Sequence, residues 1–340
     1  TALTSVTTDV GGSVAINGSV AINGGVVNTT GAQIYGEAAT LGAATTLTST
    51  GSGAITFGNT LNGAQTLAVN TSGVTTFTGA VGDSMALTSL TTDAGTAGSV
   101  AINGGVVNTT GAQIYGEAAT LGAATTLTST GSGAITFGNT LNGAQTLAIN
   151  TSGVTTFTGA VGNTTALSSI TTDAGGSVAI NGGVVNTTGA QIYGEAATLG
   201  VATTLTSTGS GAITFGNTLN GEQTLVINTS GVTTFTGAVG DSTALTSLTT
   251  DAGTAGSVAI NGGVVNTTGA QIYGEAATLG AATTLTSTGS GAITFGNTLN
   301  GAQTLAINTS GGTTFTGAVG NTTALTSVTT DVGGSVAING

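Results

Sequence analysis

The sequence predicts an all-β chain wound as a parallel β-solenoid, with about twenty residues and three short strands per coil. Three observations predict it. The first is repetition: GAQIYGEAATLG starts at 31, 111, 189 and 269, and TTLTSTGSGAITFGNT fills 45–60, 125–140, 203–218 and 283–298. The second is an inner period, in which apolar residues return at twenty-residue steps. The third is texture. Runs such as Ile55-Thr-Phe57 alternate with period two, are rich in Thr, Val and Ile, and are broken by Gly or Asn-Gly; no stretch has helical spacing.

The repeat divides residues 1–340 into units 1–84, 85–164, 165–242 and 243–322 and a partial unit 323–340, expected to form one continuous solenoid. The intervals between successive copies are not all equal, and the differences have local causes. The first unit duplicates SVAING (Ser13–Gly18, Ser19–Gly24), the second and fourth carry an extra Thr96-Ala97 and Thr254-Ala255, and the third has neither. Length variation confined to one Gly-rich corner is what a surface loop on a repeating scaffold tolerates.

Inside a unit, one column runs through Val27, Leu47, Leu67, Leu87 and Val107 and a second through Leu41, Leu61 and Val81; a third collects all eight Phe, beginning with Phe57 and Phe77. Three columns define three faces. The segment 45–61 then places Leu47, Ile55, Phe57 and Leu61 inward, a corner at Gly51 to Gly53, and Thr on the outward positions, where a β-branched uncharged side chain suits a strand. Stacked identical charges about 4.8 Å apart would repel, which keeps Asp and Glu off the strand faces. About 17 such coils would make a rod of the order of 80 Å, right-handed because parallel crossovers are. One coil alone buries too little to offset its ordering entropy, so neighbours must stack. The rival is a series of hairpins, for which the Asn-Gly of AING and TLNG is a strong signal.

Composition excludes several functions. The chain has twelve acidic residues, a net charge of −12 and no Lys, Arg or His. It cannot neutralise phosphates, so nucleic acid and anionic membrane surfaces are excluded as partners. There is no Cys, hence no disulfide or thiolate metal site, and no apolar run long enough for a membrane-spanning helix. At 39% hydrophobic and 4% charged, the chain lacks the signature of disorder. It begins in mid-pattern at Thr1 and reads as a window from something longer.

No catalytic, cofactor-binding or metal-binding residues are assigned. Asp9, Asp93, Asp173, Asp251 and Asp331 occupy the corner TTDxG and read as Asx-turn residues. A calcium ladder would need more acidic ligands per turn. Glu37, Glu117, Glu195 and Glu275 sit in IYGEAA at the ladder position that Phe holds elsewhere. A glycosidase needs two carboxyl groups within about 5–10 Å, and these Glu have no partner at such spacing. The expected arrangement turns Glu outward and brings Tyr35 and its equivalents into the inner row, with a buried neutral Glu as the alternative. GSGAITFG is followed by neither Lys nor a helix, so it is no phosphate loop, and the NTT and NTS sequons follow from composition. With no His, Lys, Arg or Cys, and with near-identical surfaces in place of one unique constellation, the chain is read as a non-enzyme.

The coils of TTLTSTGSGAITFGNTL and QTLAINTSGVTTFTGAVG, rich in Gly, Ala, Thr, Val and Asn over the whole length, resemble the giant repetitive surface proteins of Gram-negative bacteria of the filamentous haemagglutinin type, secreted by the two-partner route. The resemblance implies export, a right-handed β-helical shaft outside the cell, and service in adhesion, cell contact or surface coats. Residues 323–340 are identical to residues 1–18, which suggests a higher-order repeat that starts again at Thr323. The expected partners are further coils of the same chain or identical molecules, end to end or side by side, and another cell surface or a glycan. A glycan-binding segment and an ice-binding solenoid with flat Thr-x-Thr ranks stay open as alternatives. Whatever selected it, the absence of Lys and Arg leaves trypsin-like proteases no cleavage site.

Overall fold

The structure, a computed structural model, describes residues 6–7, 18–93, 97–251 and 255–340. Every regular element in these residues is a β-strand of two to six residues, and every strand pairing is parallel. The hairpin alternative is thereby set aside: Asn-Gly turns a corner between faces. The winding is that of a β-solenoid with three strands per coil.

The chain divides into two compact bodies, Thr1–Leu167 and Ser168–Gly340. In the first body, one ladder runs through Gln33–Tyr35, Ile55–Phe57, Val74–Phe77, Ser99–Ile102, Ala118–Leu121 and Leu141–Asn142. A second runs through Val26–Thr29, Thr45–Ser49, Thr66–Thr71, Ser89–Thr92, Gln113–Tyr115, Ile135–Phe137 and Val154–Phe157. The third starts at Ser19–Ile22, Ala38–Leu41 and Leu61–Asn62, passes by single bridges through Val81, and continues in Val106–Thr109, Thr125–Ser129 and Thr146–Thr151. The second body repeats the plan, with ladders holding Gln191–Tyr193 and Gln271–Tyr273 on two different faces.

The coil length corrects the expected period. Phe77 lies over Phe57 and Leu47 over Val27, at the expected spacing. Leu67, however, lies over Thr45, and Leu61 over Ala39, each two positions beyond it. The step from Ser99 to Ala118 is shorter than expected, and the step from Val81 to Val107 is longer. The mean is roughly 22 residues, with about 14 turns in place of the expected 17. A slip of two keeps every side chain on its own side of the sheet, so period-two patterning could not distinguish the two coil lengths.

One consequence reorders the surface. Four ladder steps from Gln33 reach Ile55, Thr75, Val100 and Ala119, and so overshoot the repeat-equivalent Gln113. Gln113 stands on another ladder. One long repeat therefore holds more than three coils but fewer than four, and within each body the second copy of a segment faces a different way from the first. The Phe column splits accordingly: Phe57 and Phe77 lie on one face and Phe137 and Phe157 on another.

The core is built from inward rows. Leu47, Ile55, Phe57 and Leu61 are buried as expected. Tyr35, Phe57 and Phe77 form an offset stack with centroids 5.1 and 5.5 Å apart and nearly parallel planes, and the same triad recurs from Tyr115, Tyr193 and Tyr273. All four Tyr and all eight Phe are buried. Thr is less uniformly outward than expected: Thr46 and Thr48 are half-exposed, whereas Thr45, Thr75, Thr155 and Thr233 are buried.

At the corner Gly51 to Gly53, Ser52 adopts a left-handed φ of 61° and its hydroxyl meets that of Ser72 at 2.6 Å. A Cβ on Gly53 would stand 2.2 Å from the carbonyl carbon of Gly31 in the coil below. Only Gly permits so close a stacking of corners. The variable corner carries Ala97 and Ala255 exposed; the accompanying Thr96 and Thr254, and nearly all of the first SVAING copy, lie outside the described residues. Where the extra pair is absent, the ladder step shortens by two, as comparison of Leu90 and its partner Gln113 with Ile170 and its partner Gln191 shows. The strands keep their parity.

Candidate functional site

The most polar part of the interior forms around the QIYGE segment. In Gln113-Ile114-Tyr115, Tyr115 is held inward by stacking on Phe137, so parity also sends Gln113 inward and turns Ile114 out, 36% exposed. Gln113 sits inside the corner without loss, because its amide reaches the carbonyl oxygens of Val107 (3.1 Å) and Thr128 (2.9 Å) and the hydroxyl of Thr109 (3.3 Å). Its own carbonyl accepts from the Tyr115 hydroxyl at 2.9 Å. The same network recurs at Gln33, Gln191 and Gln271. Burial pushes the Tyr35 phenol up to about 12 and raises Tyr115, Tyr193 and Tyr273 further.

Tyr joins the inner row as expected, but Glu does not turn outward. Glu117, Glu195 and Glu275 are each only 1% exposed, and Glu37 is half-buried. Glu117 continues the inward parity of Leu121 and Ala119, counted back by twos across the start of strand Ala118–Leu121. That parity was the missed signal. One carboxylate oxygen, Oε2, accepts from the Thr92 hydroxyl at 2.7 Å, and Glu275 accepts from Thr250 at 2.8 Å; Glu195 accepts from Thr172. The other oxygen, Oε1, is buried without a hydrogen-bond partner in all three.

A second correction concerns pairing. Asp93, Asp173 and Asp251 act electrostatically on Glu117, Glu195 and Glu275 respectively, so these Glu do have acidic neighbours. Each Asp precedes its Glu by about one coil, a spacing that becomes visible once the true coil length is known. All three Glu carboxyls are raised above the ordinary glutamate range, chiefly by burial, with the Asp charge adding to it; the Thr hydroxyl and the backbone N–H of the Glu itself act in the opposite direction. Asp331 is exposed, and Asp9 lies outside the described residues. Among the described residues no group of three acidic side chains is placed to hold a metal ion.

The fold and this corner define a repetitive β-solenoid with a buried acidic corner at Glu117, Glu195 and Glu275. No family model, no curated protein and no solved structure matches the chain. No helix among the described residues is long and apolar enough to cross a membrane.

Proposed function

We propose that the chain is the structural shaft of a secreted bacterial surface filament or giant adhesin, a stiff extracellular spacer that serves cell contact or a coat, with further coils or identical molecules as its partners. It performs no catalysis in this reading. The carrying observation is the phase offset between the long sequence repeat and the coil of roughly 22 residues. Identical segments face different ways in the two repeats of each body, while the interior rows persist through the change of face. The repeated sequence thus preserves a core and dilutes any one outer surface, which suits a spacer better than a recognition plane.

The same observation weakens the alternatives. An outward row of the first body reads Val26, Thr46, Ala68, Thr91, Ile114, Thr136 and Thr156, so the Thr ranks an ice-binding face would need are interrupted. Sugar rings stack on exposed aromatics, and here every ring is buried. Electron microscopy of the native material tests the reading: thin unbranched rods with an axial spacing of about 4.8 Å are expected, and compact particles overturn it. Thermal hysteresis or glycan-array binding would transfer the assignment to the corresponding alternative.

A further inference from the structure

We propose that the pairs Asp93–Glu117, Asp173–Glu195 and Asp251–Glu275 are proton-binding sites, each holding one proton between two carboxyl groups in the folded coil, so that acid tightens the solenoid at a fixed place in these repeats.

In each corner Glu Oε2 is satisfied by a Thr hydroxyl, but Oε1 is buried with no hydrogen-bond partner. In the third repeat Asp173 Oδ1, in the same corner as Glu195, is likewise buried without a partner. Two acceptors without a hydrogen between them are costly to bury. A proton on Glu195 converts one of them into a donor toward the other. No cationic side chain can do the work instead, because the chain has no Lys, Arg or His.

The surroundings leave no other titrating group to take this role. The preceding coil presents Thr92-Asp93, Thr172-Asp173 and Thr250-Asp251. The following coil passes with Gly-Asn-Thr at 138–140, 216–218 and 296–298, whose threonine carbonyls accept from Ala119, Ala197 and Ala277 at 2.8 Å. On the Glu's own strand run only the Tyr two residues before it is ionisable, and burial keeps its phenol neutral. A hard cation is a poorer occupant. Calcium takes about 6–8 oxygen ligands, and each corner offers two carboxyl groups, with the Thr hydroxyl hydrogen already directed at one of them.

The sign follows from linkage. The folded Glu holds its proton at pH values where an unfolded Glu, with an ordinary value of about 4.3, has released it. The stabilisation is complete below that ordinary value and is lost as pH rises through the higher folded value.

The test is carbon NMR of the five Glu side-chain carboxyls in the whole chain, titrated from about pH 3 to 9 folded and again in urea as the unfolded reference. Single Glu117→Gln, Glu195→Gln and Glu275→Gln variants assign the signals. Three resonances are expected to titrate at higher pH folded than unfolded, and each variant should remove one of them. Denaturant midpoints should fall for the wild type as pH rises above the ordinary glutamate value, and fall less for each variant. If all five resonances titrate as in urea, the proposal fails. If calcium at neutral pH shifts these three resonances and raises the midpoint, the corners are cation sites and the proposal fails as well. The wild-type titration decides even if a variant does not fold.

Discussion

Replacing Thr75 or Thr233 by Val should stabilise the protein. Thr75 stands in an inward row between Ile55 and Val100, and Thr233 between Ile213 and Val258. Both side chains are fully buried, and both hydroxyls lack a hydrogen-bond partner. Val has nearly the same shape, so little repacking is needed. Removing an unsatisfied hydroxyl recovers a desolvation cost of about 1–3 kcal/mol, and the methyl that replaces it buries apolar surface worth about 0.8 kcal/mol more. The native Thr fits the backbone as well as Val does, since both are β-branched, and no hydrogen bond is lost. Each variant should therefore gain about 2–4 kcal/mol, read as a higher urea midpoint at unchanged slope. The two sites lie in different compact bodies, so two separate tests of one argument result. An unchanged or lower midpoint in both variants would refute the assignment of these hydroxyls as unpaired, and with it the inward register of the row.

Tyr273→Phe should cost about 1–2 kcal/mol, because the Gln271 carbonyl loses its buried donor while the ring stack persists; denaturant unfolding of the variant measures it. Phe215→Ala, in the middle of the stack between Tyr193 and Phe235, should cost about 3–5 kcal/mol, seen as a large drop in the same midpoint. Gly53→Ala should perturb folding far more than Gly24→Ala, since the new methyl at 53 meets backbone 2.2 Å away and the one at 24 meets nothing within 4 Å. Circular dichroism melts of the two variants provide the comparison.

The sequence made the interior legible and left its exceptions hidden. Stacked Phe, inward Leu and Ile, and Gly corners follow from alternation and recurrence, and the structure has them. The coil length escaped because recurrence at twenty-residue steps marks inward positions without saying which of them meet, and a shift of two residues leaves each on the same side. Leu47 and Leu67 are both inward, and nothing in the letters says that Leu67 lies over Thr45 and Val69 over Leu47. The polar corner escaped for a related reason. Gln113 and Glu117 read as surface residues by type, but one is carried inward with Tyr115 and the other with Ala119 and Leu121. Position in the alternation overrode chemical type. The Asp–Glu pairing then followed from a coil length the sequence had not supplied.

The offset between repeat and coil also explains why length variation is tolerated where it occurs. A segment between two strands can gain or lose two residues at a corner, as the step from Ile170 to Gln191 does relative to that from Leu90 to Gln113, and both strands still meet their neighbours with the same parity. What the fold must conserve is the number of strands passed and the side on which each residue lies. The number of residues per repeat need not be a multiple of the coil. A chain built this way can lengthen by duplicating whatever block carries intact strands, since any inward row can sit on any other: Tyr115 on Thr92, Phe137 on Tyr115, Phe77 beneath Ile102. That interchangeability of rows allows the identical segment to occupy different faces in the two repeats of each body. It would be an obstacle to holding one outer site in register, and none to lengthening a shaft.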